Sequence, residues 1–183
     1  MCHFITALVP PEADRDALIR RTGWREIENP SVRAQIGPAD LCLLTTRAMC
    51  DCGTPLGSLA ERNPAAAAGD LDAEARKRRK QGWSEAKIRR WLAEKSGQAE
   101  KQGRVEAART EQAARDVRRW VDLLTEILHT GLTPRIGLLL HWYRMGVETE
   151  RVPIKRQEWL DFADLTGDRL LRIEEDVVYH FAR

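Results

Sequence analysis

The chain has 183 residues, of which 43% are hydrophobic and 32% are charged, and its formal net charge is +2. This length fits one domain, or one domain with an insertion, and it lets a core form without disulfide bonds. The chain lacks an apolar stretch of the roughly 18 residues that a membrane helix needs, and its first residues carry no basic leader. We therefore expect no membrane association, no signal peptide, a cytoplasmic location and reduced cysteines.

The charge is unevenly distributed along the chain. Residues 71–120 hold 15 basic and 8 acidic residues, a net charge of +7, whereas the remainder holds 15 and 20, a net charge of −5. Arginine outnumbers lysine by 24 to 6, which is typical of a GC-rich bacterial genome and also suits phosphate recognition by guanidinium groups. The sequence therefore predicts a basic segment attached to a mildly acidic body.

The first 69 residues alternate short apolar segments with turn residues. Residues 2–9 are β-branched and aromatic and predict a strand, and the run at 40–46 predicts a second, buried strand. A short helix is predicted between them at 12–22. Turns are indicated at Asn29-Pro30 and Gly37-Pro38. Residues 47–69 predict an irregular loop that bears a site, with one helical turn around 58–62.

From residue 70 the pattern becomes helical. Asp70 and Ser84 are suitable helix caps, and glycines end each predicted segment. The predicted helices cover 71–81, 85–96 and about 104–129, with Gly82, Gly97 and Gly103 between them. The longest has an apolar stripe at helical spacing in its second half.

The last third predicts strands followed by one helix. Residues 136–143 form a near-continuous apolar run, which indicates a central strand. We expect a hairpin across Gly146 to a strand at 151–155, a further extended stretch at 158–163, and a final helix at about 167–181. The acids Glu174, Glu175 and Asp176 would then lie on a solvated helix face.

These elements predict an α+β fold. We expect a small, mostly antiparallel sheet of three to five strands, with helices on one face and a long, basic helical insertion. Residues 1–69 and 132–183 would form the α+β core. Residues 70–131 would form the helical arm, its C-terminal half packing on that core.

The cysteines are the strongest chemical feature. Residues at i and i+2, such as Cys50 and Cys52, can point to the same side of an extended segment, so their thiolates can share a Zn²⁺ ion. Cys2 is a third candidate ligand, and His141 on the predicted central strand is a fourth. His3 fits less well because neighbouring strand residues point to opposite faces. The alternatives are reactive thiols or buried, inert cysteines, and the latter is our prediction for Cys42.

Cys2 also has a possible catalytic role. Removal of Met1 would place its thiol beside a free α-amine, as in N-terminal nucleophile hydrolases. The start Met1-Cys2 resembles class II glutamine amidotransferases and abasic-site crosslinking proteins in that one respect. Both families normally continue with glycine, where this chain has His3, so no function is carried over. Of the other histidines, we expect His129 in the last turn of a helix and His180 at the surface.

The basic segment has its own candidate function. Residues 76–90 contain eight basic residues and one acid, with Trp83 inside the segment and Trp91 directly after it. Such a surface can bind the phosphates of a nucleic acid, with rings stacked on unpaired bases, or an acidic protein partner. The alternative is a solvated hairpin with both tryptophans packed between its helices. The candidate binding residues are Arg76, Arg78, Arg79, Lys80, Arg89 and Arg90.

Together these features favour a non-enzymatic, intracellular binding or regulatory protein with a structural zinc site and a basic arm that engages a partner. Two alternatives remain open. One is a thiol-dependent enzyme that uses Cys2, or Cys50 and Cys52. The other is an immunity-type interaction protein in which the cysteines are incidental.

Overall fold

The structure is a computed structural model that describes residues 1–37, 40–46, 48–57 and 71–183. These residues fall into two compact units. One contains the described residues up to 57 together with 114–183, and the other contains 71–113. Within the described part of the chain, no helix combines the length and apolarity needed to cross a membrane.

The described residues form an α+β structure with six strands and six helices, one of them a 3₁₀ helix. The strands are β1 (Cys2–Val9), β2 (Arg25–Ile27), β3 (Leu41–Leu44), β4 (Arg135–Tyr143), β5 (Arg156–Asp161) and β6 (Val177–Ala182). The helices are α1 (Arg15–Thr22), α2 (Pro30–Ile36), α3 (Leu71–Lys80), α4 (Glu85–His129), the 3₁₀ helix Phe162–Asp164 and α5 (Gly167–Leu170).

The six strands form one mixed sheet in the order β2-β3-β1-β4-β6-β5. Four neighbouring pairs are antiparallel, and only β5 and β6 are parallel. The central strands β1, β4 and β6 are buried along most of their length. Their sequences are therefore mostly apolar, with one histidine in each strand, rather than alternating patterns.

Side chains on both faces of the sheet are covered. One face packs against α1, the residues of α4 after 114, and α5, with Ile5, Leu124 and Leu138 fully buried at its centre. The opposite face packs against α2 through Val32 and against the segment after β4 through Val152. The expectation that all helices lie on one face is therefore wrong, because α2 covers the second face.

The sheet is larger than the predicted three to five strands. One of the two unpredicted strands, β2, has only three residues between the C-cap of α1 and Asn29, which is too short for an alternating pattern to be recognised. Asn29-Pro30, predicted as a turn, is instead the start of α2: Asn29 is its N-cap and Pro30 its first residue.

The predicted helix at 167–181 is wrong in its second half. Only the four residues of α5 are helical, and residues 177–182 form β6 between β4 and β5. The apolar positions of this segment fit a helix face, but Val177, Val178 and Tyr179 favour a strand. Because β6 is buried on both faces, apolar residues occupy both of them, and the spacing that would separate a strand from a helix is lost.

Two further element boundaries differ from the prediction. Residues 151–155 form no strand, and β4 pairs with β1 and β6 rather than with a hairpin partner. Gly97 and Gly103 do not interrupt the helical backbone, which runs through α4 as one helix. An interior glycine costs only about 1 kcal/mol, which the surrounding helix-forming residues offset.

The unit formed by residues 71–113 contains α3 and the first part of α4. Gly82 ends α3 with a φ of 80°, a left-handed conformation that suits glycine. Ala75 and Ile88 are buried within this unit. The predicted cap Asp70, the helical turn at 58–62 and the rest of 58–69 lie outside the described residues.

Candidate metal centre

The cysteine site begins where β3 ends. Past Leu44, the backbone N–H and the hydroxyl of Thr45 both donate to the carbonyl of Ile5, at 3.1 and 2.9 Å. The chain then turns and returns to the same edge of β1 at Asp51, whose N–H donates to the carbonyl of His3 at 2.9 Å. This second contact brings the residues on either side of Asp51, Cys50 and Cys52, to the start of β1.

Asp51 fixes this segment through its side chain as well. Its Oδ2 accepts a hydrogen bond from the N–H of Ile5 at 2.8 Å, and the residue is 3% exposed. Burial raises the pKa of the Asp51 carboxyl to about 6, although the hydrogen bond from Ile5 opposes the shift. Asp51 therefore replaces a strand partner on an edge of β1 that β3 leaves uncovered.

A tight turn holds the backbone of Asp51 in place. Its carbonyl accepts from the N–H and the hydroxyl of Thr54, at 2.9 and 2.8 Å, and the N–H of Gly57 donates to the same hydroxyl at 3.1 Å. A β-carbon at Gly57 would lie 2.1 Å from the Asp51 carbonyl oxygen. Only glycine permits this close approach without movement of the turn.

This arrangement brings Cys2, Cys50 and Cys52 together. Their sulfur atoms all lie within 4.8 Å of one another, and each residue is partly exposed. A tetrahedral zinc ion with Zn–S distances of ~2.3 Å keeps its thiolates about 3.8 Å apart. Small side-chain rotations therefore suffice for the three sulfurs to close on one ion.

Hydrogen bonds distribute charge unequally among these thiols. The backbone N–H of His3 donates to Cys52 Sγ at 3.1 Å. Hydrogen bonds from the backbone of Cys52 and from the Cys2 and Cys52 thiols lower the pKa of Cys50, whereas the hydrogen bond to Cys50 and burial raise the pKa of Cys2. The Cys50 thiol is therefore easier to ionise than the Cys2 thiol, and the ionised state is the one that binds a metal.

His141, proposed from the sequence as the fourth ligand, lies elsewhere on β4. Its Nδ1 is 2.5 Å from Asp176 Oδ1, and Lys155 Nζ lies 3.1 Å from the other oxygen of that carboxylate. His3 bonds through Nε2 to Glu175. Among the described residues, the group that can hold a metal contains the three cysteines and neither histidine.

The acids at 174–176 are not the solvated helix face that the sequence suggested. They precede β6, and each is bonded to a specific basic or histidine side chain: Glu174 to Arg156, Glu175 to His3, and Asp176 to His141. His180 also differs from expectation, since it is 1% exposed. Both differences have one cause, the formation of β6 where the sequence predicts a helix.

Cys42 has the place expected from its apolar neighbours. It is fully buried on β3, and burial raises the pKa of its thiol to about 11. Asp51, Thr54 and Gly57 were not identified as site residues from the sequence. The sequence signal for them is weak. In the sequence alone, an aspartate between two cysteines gives no indication of whether it is buried or exposed.

The basic residues of the second unit form a separate feature. The Arg78 guanidinium lies over both tryptophan rings, 4.6 Å from the centroid of Trp83 and 4.2 Å from that of Trp91, and Lys87 lies 4.1 Å from the first ring. Both tryptophan rings are thus in cation–π contact with basic side chains of their own unit. The remaining candidates are exposed side chains: Arg76, Arg79, Lys80, Arg89 and Arg90.

Comparison of the chain with protein family models, with curated proteins and with solved structures finds no match.

Proposed function

We propose that this chain is a zinc-binding protein of the binding or regulatory kind, in which Cys2, Cys50 and Cys52 hold the ion. The observation that supports this most is the convergence of three sulfurs within 4.8 Å of one another, from two segments 48 residues apart. Cysteine thiolates are preferred zinc ligands, and three of them on one ion give the soft, anionic environment that retains zinc.

The surroundings of the thiols favour metal binding over chance proximity. Asp51 and Gly57 hold the Cys50–Cys52 segment against β1 before any ion arrives. The lowered pKa of Cys50 makes its thiol easier to deprotonate, and thiols lose their protons as they coordinate a metal ion. A bound ion would tie the start of β1 to this segment and stabilise the folded state.

The test is metal analysis of protein purified without chelators. We expect about one equivalent of zinc per chain, with loss of most of it in Cys50→Ser and Cys52→Ser. Cys42→Ala is the matched control, since that cysteine is buried in the core and its removal leaves zinc content unchanged. Less than about 0.1 equivalent in the unmodified protein, or equal zinc in all variants, would contradict the proposal.

We propose a second activity for residues 76–90: this surface binds an acidic protein partner. Support comes from the exposed cations of the segment together with the stacking of Arg78 on both tryptophans. Rings already covered by guanidinium and ammonium groups are poor platforms for unpaired bases, so charge attraction is the main recognition available.

This second activity is tested with polyglutamate as the probe and a single-stranded oligonucleotide as the comparison. We expect salt-sensitive binding of polyglutamate that weakens at least about threefold in the double variant Arg89→Gln/Arg90→Gln. The control Arg20→Gln/Arg118→Gln changes the net charge equally at exposed sites outside the segment. Absence of polyglutamate binding at low salt, or a stronger preference for the oligonucleotide, would overturn the acidic-protein assignment.

A further inference from the structure

The three cysteines of the site contact one another as free thiols. The chain's cysteines form no disulfide, and the sulfurs of Cys2, Cys50 and Cys52 all lie within 4.8 Å of one another. The thiols of Cys2 and Cys50 are hydrogen-bonded to each other. Because a disulfide joins its sulfurs at about 2.0 Å, this pair has to close by less than about 3 Å.

The backbone around Asp51 limits which thiols can pair. A disulfide between Cys50 and Cys52 would have to fold the chain about Asp51, whose N–H and side chain are both bonded to β1, at 2.9 and 2.8 Å. Those contacts resist such a change. A disulfide to Cys2, which lies on β1 itself, leaves them in place.

Cys2 has unequal contacts with the two thiols of the other segment. Its hydrogen bond with Cys50 affects the Cys2 thiol more than its hydrogen bond with Cys52 does. The Cys52 sulfur also accepts from the backbone N–H of His3 at 3.1 Å, which holds it beside β1. We therefore expect oxidation to join Cys2 to Cys50 and to leave Cys52 as a free thiol.

An oxidant can reach these thiols from solvent. All three cysteines are partly exposed, and the residues directly before two of them, Met1 and Met49, are 79% and 93% exposed. Among the described residues, no histidine or carboxylate joins the three sulfurs as a fourth metal ligand, whereas a closed zinc site has four. The described side chains therefore do not close the site around an ion.

We propose, on the basis of the zinc site above, that Cys2 and Cys50 are a modification site for hydroperoxides, and that their oxidation to a disulfide expels the zinc ion. One sulfur attacks the peroxide, the O–O bond breaks, and a sulfenic acid forms as an alcohol or water leaves. The other sulfur attacks the sulfenic acid, and water leaves as the S–S bond forms. The two thiols lose two electrons and two protons, which the hydroperoxide gains.

This reaction replaces one link with another. A disulfide sulfur lacks the negative charge with which a thiolate binds zinc, so the ion keeps Cys52 alone of its three thiolates and leaves. The new bond joins the start of β1 to the Cys50–Cys52 segment, the two parts of the chain that the ion would join. The site thus responds to an oxidant by releasing its metal, and a thiol reductant reverses the change.

The test compares zinc-loaded and metal-free protein, each treated with hydrogen peroxide, with catalase-treated peroxide as the control. After denaturation, iodoacetamide marks the free thiols, and reduction followed by N-ethylmaleimide marks the cysteines that were in a disulfide. In both samples we expect N-ethylmaleimide on Cys2 and Cys50, and iodoacetamide on Cys42 and Cys52, by peptide mass spectrometry. The zinc-loaded sample should release about one zinc ion per disulfide and bind it again after reduction with dithiothreitol.

Cys2→Ser separates this pairing from general thiol oxidation. The variant lacks the partner of Cys50, so we expect a sulfenic acid that dimedone traps and no disulfide within the chain. Cys42→Ala, a change at a fully buried cysteine, should form the disulfide as the unmodified protein does. A Cys50–Cys52 disulfide in Cys2→Ser would contradict the argument from Asp51.

The outcomes distinguish this inference from the zinc proposal. Failure to take up zinc before peroxide is added contradicts the zinc site, and the metal-free sample still tests the disulfide. Zinc uptake without a disulfide, or zinc retained after the disulfide forms, overturns this inference and leaves the zinc site standing. N-ethylmaleimide on Cys52 in place of Cys50, or a disulfide between two chains, contradicts the assigned pair.

Discussion

At the level of single residues, the cysteine site depends on groups that are not its ligands. Asp51 supplies a backbone donor and a side-chain acceptor to the exposed edge of β1, which places a cysteine on each side of it near Cys2. Gly57 allows the following turn to close against the Asp51 carbonyl. The positions of Cys50 and Cys52 therefore follow from backbone hydrogen bonding, which a ligand-spacing pattern does not describe.

Gly57→Ala should disturb the site without touching a thiol. The added β-carbon would fall 2.1 Å from the Asp51 carbonyl oxygen, so the turn must shift. We expect a loss of about 1–3 kcal/mol in the free energy of unfolding, measured by urea denaturation, and weaker zinc binding. Gly53→Ala in the same turn is the control, since a β-carbon at that position would have no neighbour within 4 Å. Equal effects of the two changes would contradict the close-approach argument.

The buried His180 should make the free energy of unfolding depend on pH. Its ring stacks on Trp159, its Nε2 lies 2.9 Å from Gln157 Oε1, and its Nδ1 lies 3.5 Å from an Arg135 nitrogen. Burial and the Arg135 charge lower the pKa of His180 from 6.5 to about 4, despite the opposing charge of Asp40. Between these values the unfolded chain binds a proton that the folded chain does not, so stability falls as the pH falls.

We expect this contribution to change by at most about 1.4 kcal/mol per pH unit. Asp51 acts with the opposite sign, because its raised pKa makes the folded state bind the proton more tightly as the pH falls towards 3.8. Urea denaturation of metal-free protein and of His180→Gln from pH 7 to 4 separates the two. The difference between their free energies of unfolding should shrink as the pH falls, and a constant difference would contradict the assignment.

At the level of elements, the segments that the sequence predicted well are those with one dominant signal. The strands at 2–9 and 136–143 are observed as β1 and β4 because their apolar runs have no helical alternative of adequate length. The sequence predicts a helix at 167–181 because the apolar residues of this segment fit the spacing of a helix as well as that of a strand. Residues 177–182 form β6 because they pair with β4 and β5. Local propensity carries no information about these pairings.

Asn29 shows how one cap organises two elements. Its side-chain oxygen accepts from the N–H of Val32 at 3.0 Å, and its amide nitrogen donates to the carbonyls of Val147 and Glu150, at 2.8 and 3.0 Å. Asn29→Ala should lower the free energy of unfolding by about 2–3 kcal/mol, because it removes a cap and leaves two partly buried carbonyls without these donors.

Asn29→Asp is the matched comparison for this cap. Aspartate keeps the acceptor for Val32 but cannot donate to either carbonyl, so its cost in urea denaturation isolates the contacts to the loop after β4. We expect a smaller loss than that of the alanine variant, because the cap on Val32 is kept. Full retention of stability in Asn29→Asp would show that the loop contacts contribute nothing.

At the level of the whole molecule, α4 contributes to both compact units. From residue 114 onward it buries Val117, Leu124, Ile127 and Leu128 in the core on one face of the sheet. Its earlier residues belong to the unit that contains the basic segment. One helix thus supplies core residues to the first unit and, at its start, Lys87, Arg89 and Arg90 of the basic segment to the second.

Leu124→Ala tests the share of α4 that stabilises the sheet. The side chain is fully buried, so its truncation should cost about 2–5 kcal/mol in urea denaturation. Leu123→Ala, one position earlier and only partly buried, should cost clearly less. Similar losses at both positions would contradict the orientation of this part of the helix.

By itself the sequence determined the α+β class, the central strands, the helical segment after residue 70, the placement of Cys42 in the core, and the candidacy of Cys2, Cys50 and Cys52. These features depend on composition and local periodicity, which can be read from the sequence without knowing which residues contact one another in the fold. Only the tertiary structure decided that β6 is a strand, that α2 covers the second face, and that His141 pairs with Asp176. Each of these depends on contacts between residues far apart in the chain, and so does the meeting of the three thiols, which Asp51 brings about by bonding to a strand 46 residues away.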